Sequence, residues 1–286
     1  MADVSLDAPR RAALLRLPRL PIAVWLALSW VVGMIVVALF ADLIAPYGYT
    51  SLDLKHRLSL PGEPAHWLGT DELGRDVLSR LIMSIRISLI IAFGATAISA
   101  TLGTTLGFLA AHFRGIVEQI VLMLADFQAS MPFLIMALAV LAFFGNTLVL
   151  LVCLMGLYGW ERYARIARGL AVAAGSQGYA GAVRQLGATP ARVYLRHILP
   201  NIASTLIVSA TLVFPEVILM ESGLSFLGLG VQPPMTSLGN MVGYGREYIT
   251  RAPWIMLSPA LTIVATTLAV SVIGDWLRDR LDPTLR

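Results

Sequence analysis

The stretch SQGYAGAVRQLGATPARVYLRHILPN, Ser176 to Asn201, is polar and carries three arginines, and far more apolar sequence flanks it on both sides. Its residue order spells out helix ends. Ser176 suits the N-cap of a short helix over 177–186. Gly187 stands at the C′ position, where a helix commonly ends in a left-handed conformation. Thr189-Pro190 then reads as an N-cap followed by proline at the first helical position, and Leu199-Pro200 leads back into apolar sequence. Two short helices with a tight corner are more than a connector between two spans requires. The plainer reading is a surface loop whose arginines only mark the inner side of a membrane.

The rest of the chain supplies the membrane. Of 286 residues, 57% are hydrophobic and 13% charged, with a mean hydropathy of +0.77. Soluble domains carry about 25% charged residues, so this composition predicts an all-α protein that crosses a lipid bilayer several times. The formal charge of +4 fits arginines gathered in loops on one side. No basic stripe lies apart from the membrane-flanking segments, which argues against nucleic-acid binding. The single cysteine, Cys153, sits in an apolar run and is expected to be a small buried hydrophobe. Arg10, Arg11, Arg16 and Arg19 precede an apolar run from Ile22 to Ala41. That run is too long for a signal peptide and has no A-x-A-like cleavage site, so it reads as an uncleaved first span.

Six spans are predicted, near 22–43, 88–111, 118–141, 148–163, 202–219 and 254–274. The second carries Gly103 and Gly107, a spacing that permits close helix approach and that also arises by chance. The third is interrupted by Asp126 and Pro132, and Gly145-Asn146 reads as the turn after it. With both termini inside, the inner segments hold 14 arginines and the outer segments seven basic residues. The organisation expected is an inner tail over 1–20, a first span with its outer end over 21–45, and an outer loop over 46–86. A core of five spans follows over 87–276, containing an inner loop at 164–201, and 277–286 forms a second inner tail. Within the outer loop, TDELGRDVLSRLIMSIR reads as an amphipathic helix along the membrane surface with Thr70 as its N-cap and Asp71 and Glu72 in its first turn. A second outer segment, 221–251, is rich in glycine and proline and is expected to fold back on the outer mouth.

The inventory of reactive groups argues against an enzyme. Lys55 is the only lysine and no G-x-x-x-x-G-K-[ST] surrounds it, so the chain has no P-loop of its own. His56, His66, His112 and His197 form no H-E-x-x-H and no zinc-ligand spacing. Intramembrane acids are sparse, with Asp126 in the third span and Glu216 and Glu221 near the outer end of the fifth, fewer than an ion-coupled carrier usually shows. Asp126 reads equally as a group lining a pathway or as a packing partner for an arginine such as Arg165.

Several motifs resemble one family. Ala182, Gly187 and Leu199-Pro200 are similar to the EAA loop of ABC-transporter permeases. HWLGTDELGRDVLSRL at 66–81, DFQASMP at 126–132, ERYARIAR at 161–168, RQLGATPARVYLRHILPN at 184–201, ESGLSFLGLGVQPP at 221–234 and GDWLRDRLDP at 274–283 resemble the C-type permease subunit of dipeptide, oligopeptide and nickel importers. The resemblance implies a type I importer (MetI-like) fold of six transmembrane helices. It also implies a second homologous permease, two ATP-binding subunits that hold the ATP and Mg, a substrate-binding protein and a bacterial inner-membrane location. The helix near 177–186 would then be the coupling helix, with Tyr179, Gly181, Ala182, Arg184, Gly187 and Ala188 as docking residues. Asp126, Pro132 and Glu221 become pathway or gate candidates. Asp71, Glu72, Arg75 and Asp76 become candidates for contact with the binding protein. Gly181 departs from the family pattern, which has an acid at that position, and Val183 replaces the third letter of the motif.

An ATP-independent channel or carrier, or a membrane scaffold, remains the competing class, and nickel the competing substrate. A β-branched residue at Gly187 is expected to uncouple ATP hydrolysis from transport or to block assembly, because C′ favours positive φ. ATP consumed per solute moved by the reconstituted complex measures this; unchanged coupling in Gly187→Val would show that the corner lies elsewhere.

Overall fold

The computed structural model describes residues 20–175 and 186–281. The described residues are helical throughout, apart from loops and isolated bridges. Helix α1 is Ile22–Leu39, extended by one further turn at Ala41–Ile44. Helix α2 is Val77–Phe113. Helices α3, Gly115–Ser130, and α4, Phe133–Phe144, are followed by α5, Leu148–Gly156, and α6, Trp160–Gly175. Helix α7 is Leu199–Phe226, α8 is Leu238–Gly245 and α9 is Trp254–Leu281.

Four helical stretches are long and apolar enough to cross a bilayer: α1, α2, α9, and the run Pro190–Phe226 that ends in α7. Together α3 and α4 qualify as a fifth, bent by 92°. The bend follows from Pro132. A residue before proline is pushed out of the α region, and Met131 is accordingly extended, with φ −83° and ψ 130°. The turn expected at Gly145-Asn146 is present: α4 ends at Phe144, and Gly145 has φ +79°.

Three expectations are corrected. The surface helix over 70–86 does not exist as a separate element. Residues 70–76 form a tight loop closed by a bridge between Thr70 and Asp76. Asp76, not Thr70, caps the helix, accepting from the Ser79 N–H and hydroxyl at 2.7 Å each. From there α2 runs unbroken for 37 residues through the second predicted span. The fourth predicted span is divided into α5 and α6, because three residues, 157–159, turn the chain between them. Cys153 is exposed rather than buried; it faces outward from α5, away from the core that Leu151, Leu154 and Met155 enter.

The core joins α2, α5, α6 and α7 through Ile91, Leu151, Tyr163, Val213 and Ile218, all buried. The closest packing is between α2 and α6. A Cβ on Gly103 would lie 2.2 Å from the Trp160 carbonyl oxygen, and one on Gly107 would lie 2.5 Å from that of Ala164. The two glycines thus let the backbones meet, as small residues do in membrane helix pairs. Elsewhere the surface is strongly apolar: Phe143, Val149, Leu261 and Leu268 are all exposed, as lipid-facing positions are.

Gly107→Ala is expected to lower the thermal unfolding midpoint of the purified protein, because overpacking costs about 1–3 kcal/mol. Gly169→Ala is the control. That glycine is also helical, and a Cβ there meets nothing within 4 Å, so the change should be neutral or stabilising by about 1 kcal/mol. Equal behaviour of the two variants would refute backbone contact at Gly107.

Candidate functional site

The corner begins where α6 ends. Tyr179, Gly181, Ala182 and Arg184, with the expected cap at Ser176, lie outside the described residues. Gly187 does adopt a left-handed conformation, with φ +82°. Ala188 follows it, half-buried. Thr189 accepts from the Arg192 N–H at 3.4 Å, and Pro190 occupies the first turn, so this helix start has the expected chemistry. A wider π-type turn over Val193–Ile198 then carries the chain into α7. Beside the corner lies a cavity of about 420 Å³, lined by the ends of α2 and α6 through Ala111, His112, Ala171 and Gly175, and by Ala188 and Tyr194.

Helix α6 enters this corner bearing a row of arginines at i, i+3 and i+6. Each finds a different acid. Arg168 binds Glu118 in the first turn of α3. Arg165 binds Asp126, two turns on, at 3.1 Å, and also donates to the Ala125 carbonyl at 3.2 Å. Arg162 binds Glu216 of α7 at 3.1 Å. Two pairs therefore tie α3 to α6 along the length of α3. Asp126 has its arginine, and its carboxylate remains exposed. Pro132 sits at the break itself, at the N-cap of α4.

Glu221 belongs to a different place. It is buried near the far end of α7, and its Oε1 accepts from the Ser225 hydroxyl at 2.6 Å and the Ser237 hydroxyl at 2.7 Å. Ser237 in turn accepts from the Asn240 N–H at the start of α8. The carboxylate thus fastens the returning segment to α7. The same segment is held at its apex by Asn146, whose amide donates to the carbonyls of Leu229 and Gly230.

The loop before α2 turns Asp71 and Asp76 inward. The Asp71 carboxylate accepts from the N–H groups of Leu73 and Arg75 at 2.9 Å, from the Arg75 Nε at 2.7 Å and from the Arg80 guanidinium. Asp76 faces His66 Nδ1 at 3.0 Å besides capping α2. Asp71 is 1% exposed and Asp76 3%, so neither offers a free carboxylate to a docking protein. Glu72 and Arg75 are half-buried and paired to each other at 3.1 Å. Burying an unpaired carboxylate is prohibitive, which is why both buried acids are saturated with donors. The exposed Asp53 accepts from the His56 ring and the Lys55 N–H, which hold its carboxyl below the ordinary value of 3.8. Its contribution to the loop is present at neutral pH and is lost as pH falls through that lowered value.

Sequence reasoning missed the pair of Arg162 and Glu216 and the bond from the Trp254 indole to the Thr70 carbonyl at 3.1 Å. The three-residue spacing of arginines in ERYARIAR was a readable sign of a charged helix face. Nothing local indicates the acids, 39 to 54 residues away.

A family model described as binding-protein-dependent transport system inner membrane component matches residues 103–286. A glutathione transport system permease protein of Pectobacterium atrosepticum is 34% identical over 284 residues, covering 99% of this chain and 94% of that one. A di/tripeptide transport system permease protein of Pseudomonas aeruginosa is 39% identical, covering 87% and 84%. An oligopeptide transport system permease protein of Bacillus subtilis is 35% identical, covering 90% and 84%. Among solved structures, a chain of the inward-facing MetNI methionine ABC transporter superposes with a TM-score of 0.54 at 18% identity, covering 72% of this chain and 96% of that chain. That likeness shows the MetI-like fold. The chain therefore belongs to the inner-membrane permease components of binding-protein-dependent ABC importers.

Proposed function

We propose that this permease moves short peptides, as one half of a pathway shared with a second, homologous permease. The observation that carries this reading is the set of relatives matched over most of their own length, whose names specify glutathione, di/tripeptide and oligopeptide transport. Both chain ends face the cytoplasm, as the arginine count favours. Counting α5 and α6 together as the fourth crossing and α3 with α4 as the third restores six crossings. Two ATP-binding subunits sit on the inner side and hold the ATP and Mg. A substrate-binding protein delivers peptide to the outer side.

The coupling rests on the corner at Gly187. The segment before it docks on an ATP-binding subunit, and α6, which enters the corner, passes the push onward. Arg165 and Arg168 hold α3 to α6, so the two helices shift as one piece and the bend at Met131-Pro132 takes up the change. Binding of ATP to the partner subunits favours one arrangement of the pathway over the other, and this differential binding drives the exchange.

Purified with the second permease and both ATP-binding subunits, then reconstituted with binding protein, the chain is expected to support ATP-dependent uptake of labelled trialanine. Asp126→Asn should leave ATP hydrolysis within about twofold while uptake per ATP falls several-fold, as loss of a partly exposed pair disturbs transmission more than stability. Peptide uptake into liposomes by this chain alone would overturn the reading; nickel uptake without peptide uptake would move it to the metal branch.

A further inference from the structure

A groove of about 370 Å³ lies between α1 and α2. Ile35, Ala38 and Leu39 of α1 face Ile90 and Phe93 of α2 across it, and the buried Leu89 lies between them. Leu39, Ile90 and Phe93 are also exposed, so the groove opens sideways from the helix pair. Its volume lies within the ~300–1,000 Å³ of small-molecule sites. Arg86 is the one charged residue of its lining.

Arg86 sits at one end of the groove. Its Nη1 donates to Asp42 Oδ2 at 2.7 Å, and Asp42 lies in the short turn just beyond the first candidate span, Ile22–Leu39. A second tie, from the Tyr47 N–H to the Ser79 hydroxyl at 3.1 Å, follows Asp42 and precedes Arg86, so the two chain segments run in opposite directions. Ile35 is seven residues before Asp42, and Phe93 is seven after Arg86. Each is therefore about 10 Å from the ion pair along its helix, at about 1.5 Å per residue. The ring of Phe93 packs against Phe214 of α7, with centres 4.8 Å apart, at the far end. The groove thus has a charged mouth and an apolar body.

The mouth is open. The Arg86 side chain is 35% exposed and that of Asp42 72%. Among the described residues, their shared hydrogen bond is the one that either side chain makes. Asp42 Oδ1 and the other N–H groups of the guanidinium remain available. One positive and one negative group stand side by side, so a purely anionic headgroup would meet Asp42 and a pure cation would meet Arg86. A headgroup bearing both signs satisfies each. Phosphate suits the planar guanidinium, and a primary ammonium donates charge-assisted hydrogen bonds to a carboxylate.

We propose that this groove binds one phosphatidylethanolamine molecule of the surrounding bilayer. Its phosphate rests on Arg86 and its ammonium on Asp42, and one acyl chain runs along Ile35, Ile90 and Phe93. The headgroup spans the ion pair without breaking it. The chain covers apolar side chains of both helices at once and so ties α1 to α2 on this side. The site stands apart from the corner at Gly187 and does not depend on which solute is carried.

The test uses the permease purified with its second permease and both ATP-binding subunits, in phosphatidylcholine vesicles. The probe is a trace of phosphatidylethanolamine with a diazirine in one acyl chain. Irradiation and peptide mapping are expected to place the label within 35–39 or 89–93. Unlabelled phosphatidylethanolamine should suppress this label at least about threefold better than equal phosphatidylglycerol or additional phosphatidylcholine, the scale of a partly exposed ion pair. The first competitor lacks the cation, and the second lacks ammonium N–H groups. Arg86→Gln and Asp42→Asn should each lower labelling by at least about threefold. Ala38→Phe, which fills the groove and leaves the ion pair in place, should remove the label there. Equal suppression by all three lipids would reduce the groove to ordinary bilayer contact and overturn the site. An unlabelled groove, as when the second permease covers it, would overturn it too. The lipid competition is read on the unaltered chain, so it decides the matter even if a variant fails to assemble.

Discussion

Helix α6 is held against α2 with almost nothing between the backbones, and the rest of the arrangement depends on that contact. Gly103 and Gly107 give up their side chains so that the Trp160 and Ala164 carbonyls can approach. In a membrane, association of helices gains little from the hydrophobic effect, and close packing has to supply it. Once α6 is fixed at this distance, its opposite face is set as well. That face carries Arg162, Arg165 and Arg168, and its angle to α3 and α7 determines which acids they meet.

The charged groups are then distributed by depth and accessibility. Asp71, Asp76 and Glu221 are buried; donors reach both oxygens of Asp71 and Asp76 and the Oε1 of Glu221, from their own loop or the neighbouring segment. These acids act as internal fasteners: the first two tie the loop onto the start of α2, and the third ties the returning segment to α7. On α6 the acids are only partly covered, and each has a single arginine. Pairs of that kind are weak individually in water-exposed settings, which suits elements that must rearrange. A tightly buried fastener and a half-open pair thus serve different ends within one chain.

Much of the fold was legible from local chemistry. Spans show as long apolar runs, and the bend in the third was marked by Pro132 because proline acts on its immediate predecessor. The corner at Gly187 and the cap at Thr189 were readable for the same reason: caps and left-handed glycines are settled within four residues. The misreading of 70–86 shows the limit of such signals. Thr70 and Asp76 are both plausible caps followed by similar sequence. The choice fell to Asp76 because Asp71 was drawn into a loop with Arg75 and Arg80, and Trp254, far along the chain, donates to the Thr70 carbonyl.

The sequence by itself determined that this is a multispanning membrane protein, where the third span breaks and the helix after Gly187 begins, and to which family of permeases it belongs, since composition, caps and motifs are local properties. Only the tertiary structure decided which acid each arginine of α6 meets and that Asp71 and Asp76 are spent inside their own loop. Those outcomes depend on helices brought together from distant parts of the chain. The spacing of arginines along one helix fixes the direction in which they point, while the partner they find is set by how closely the glycines of another helix allow it to approach.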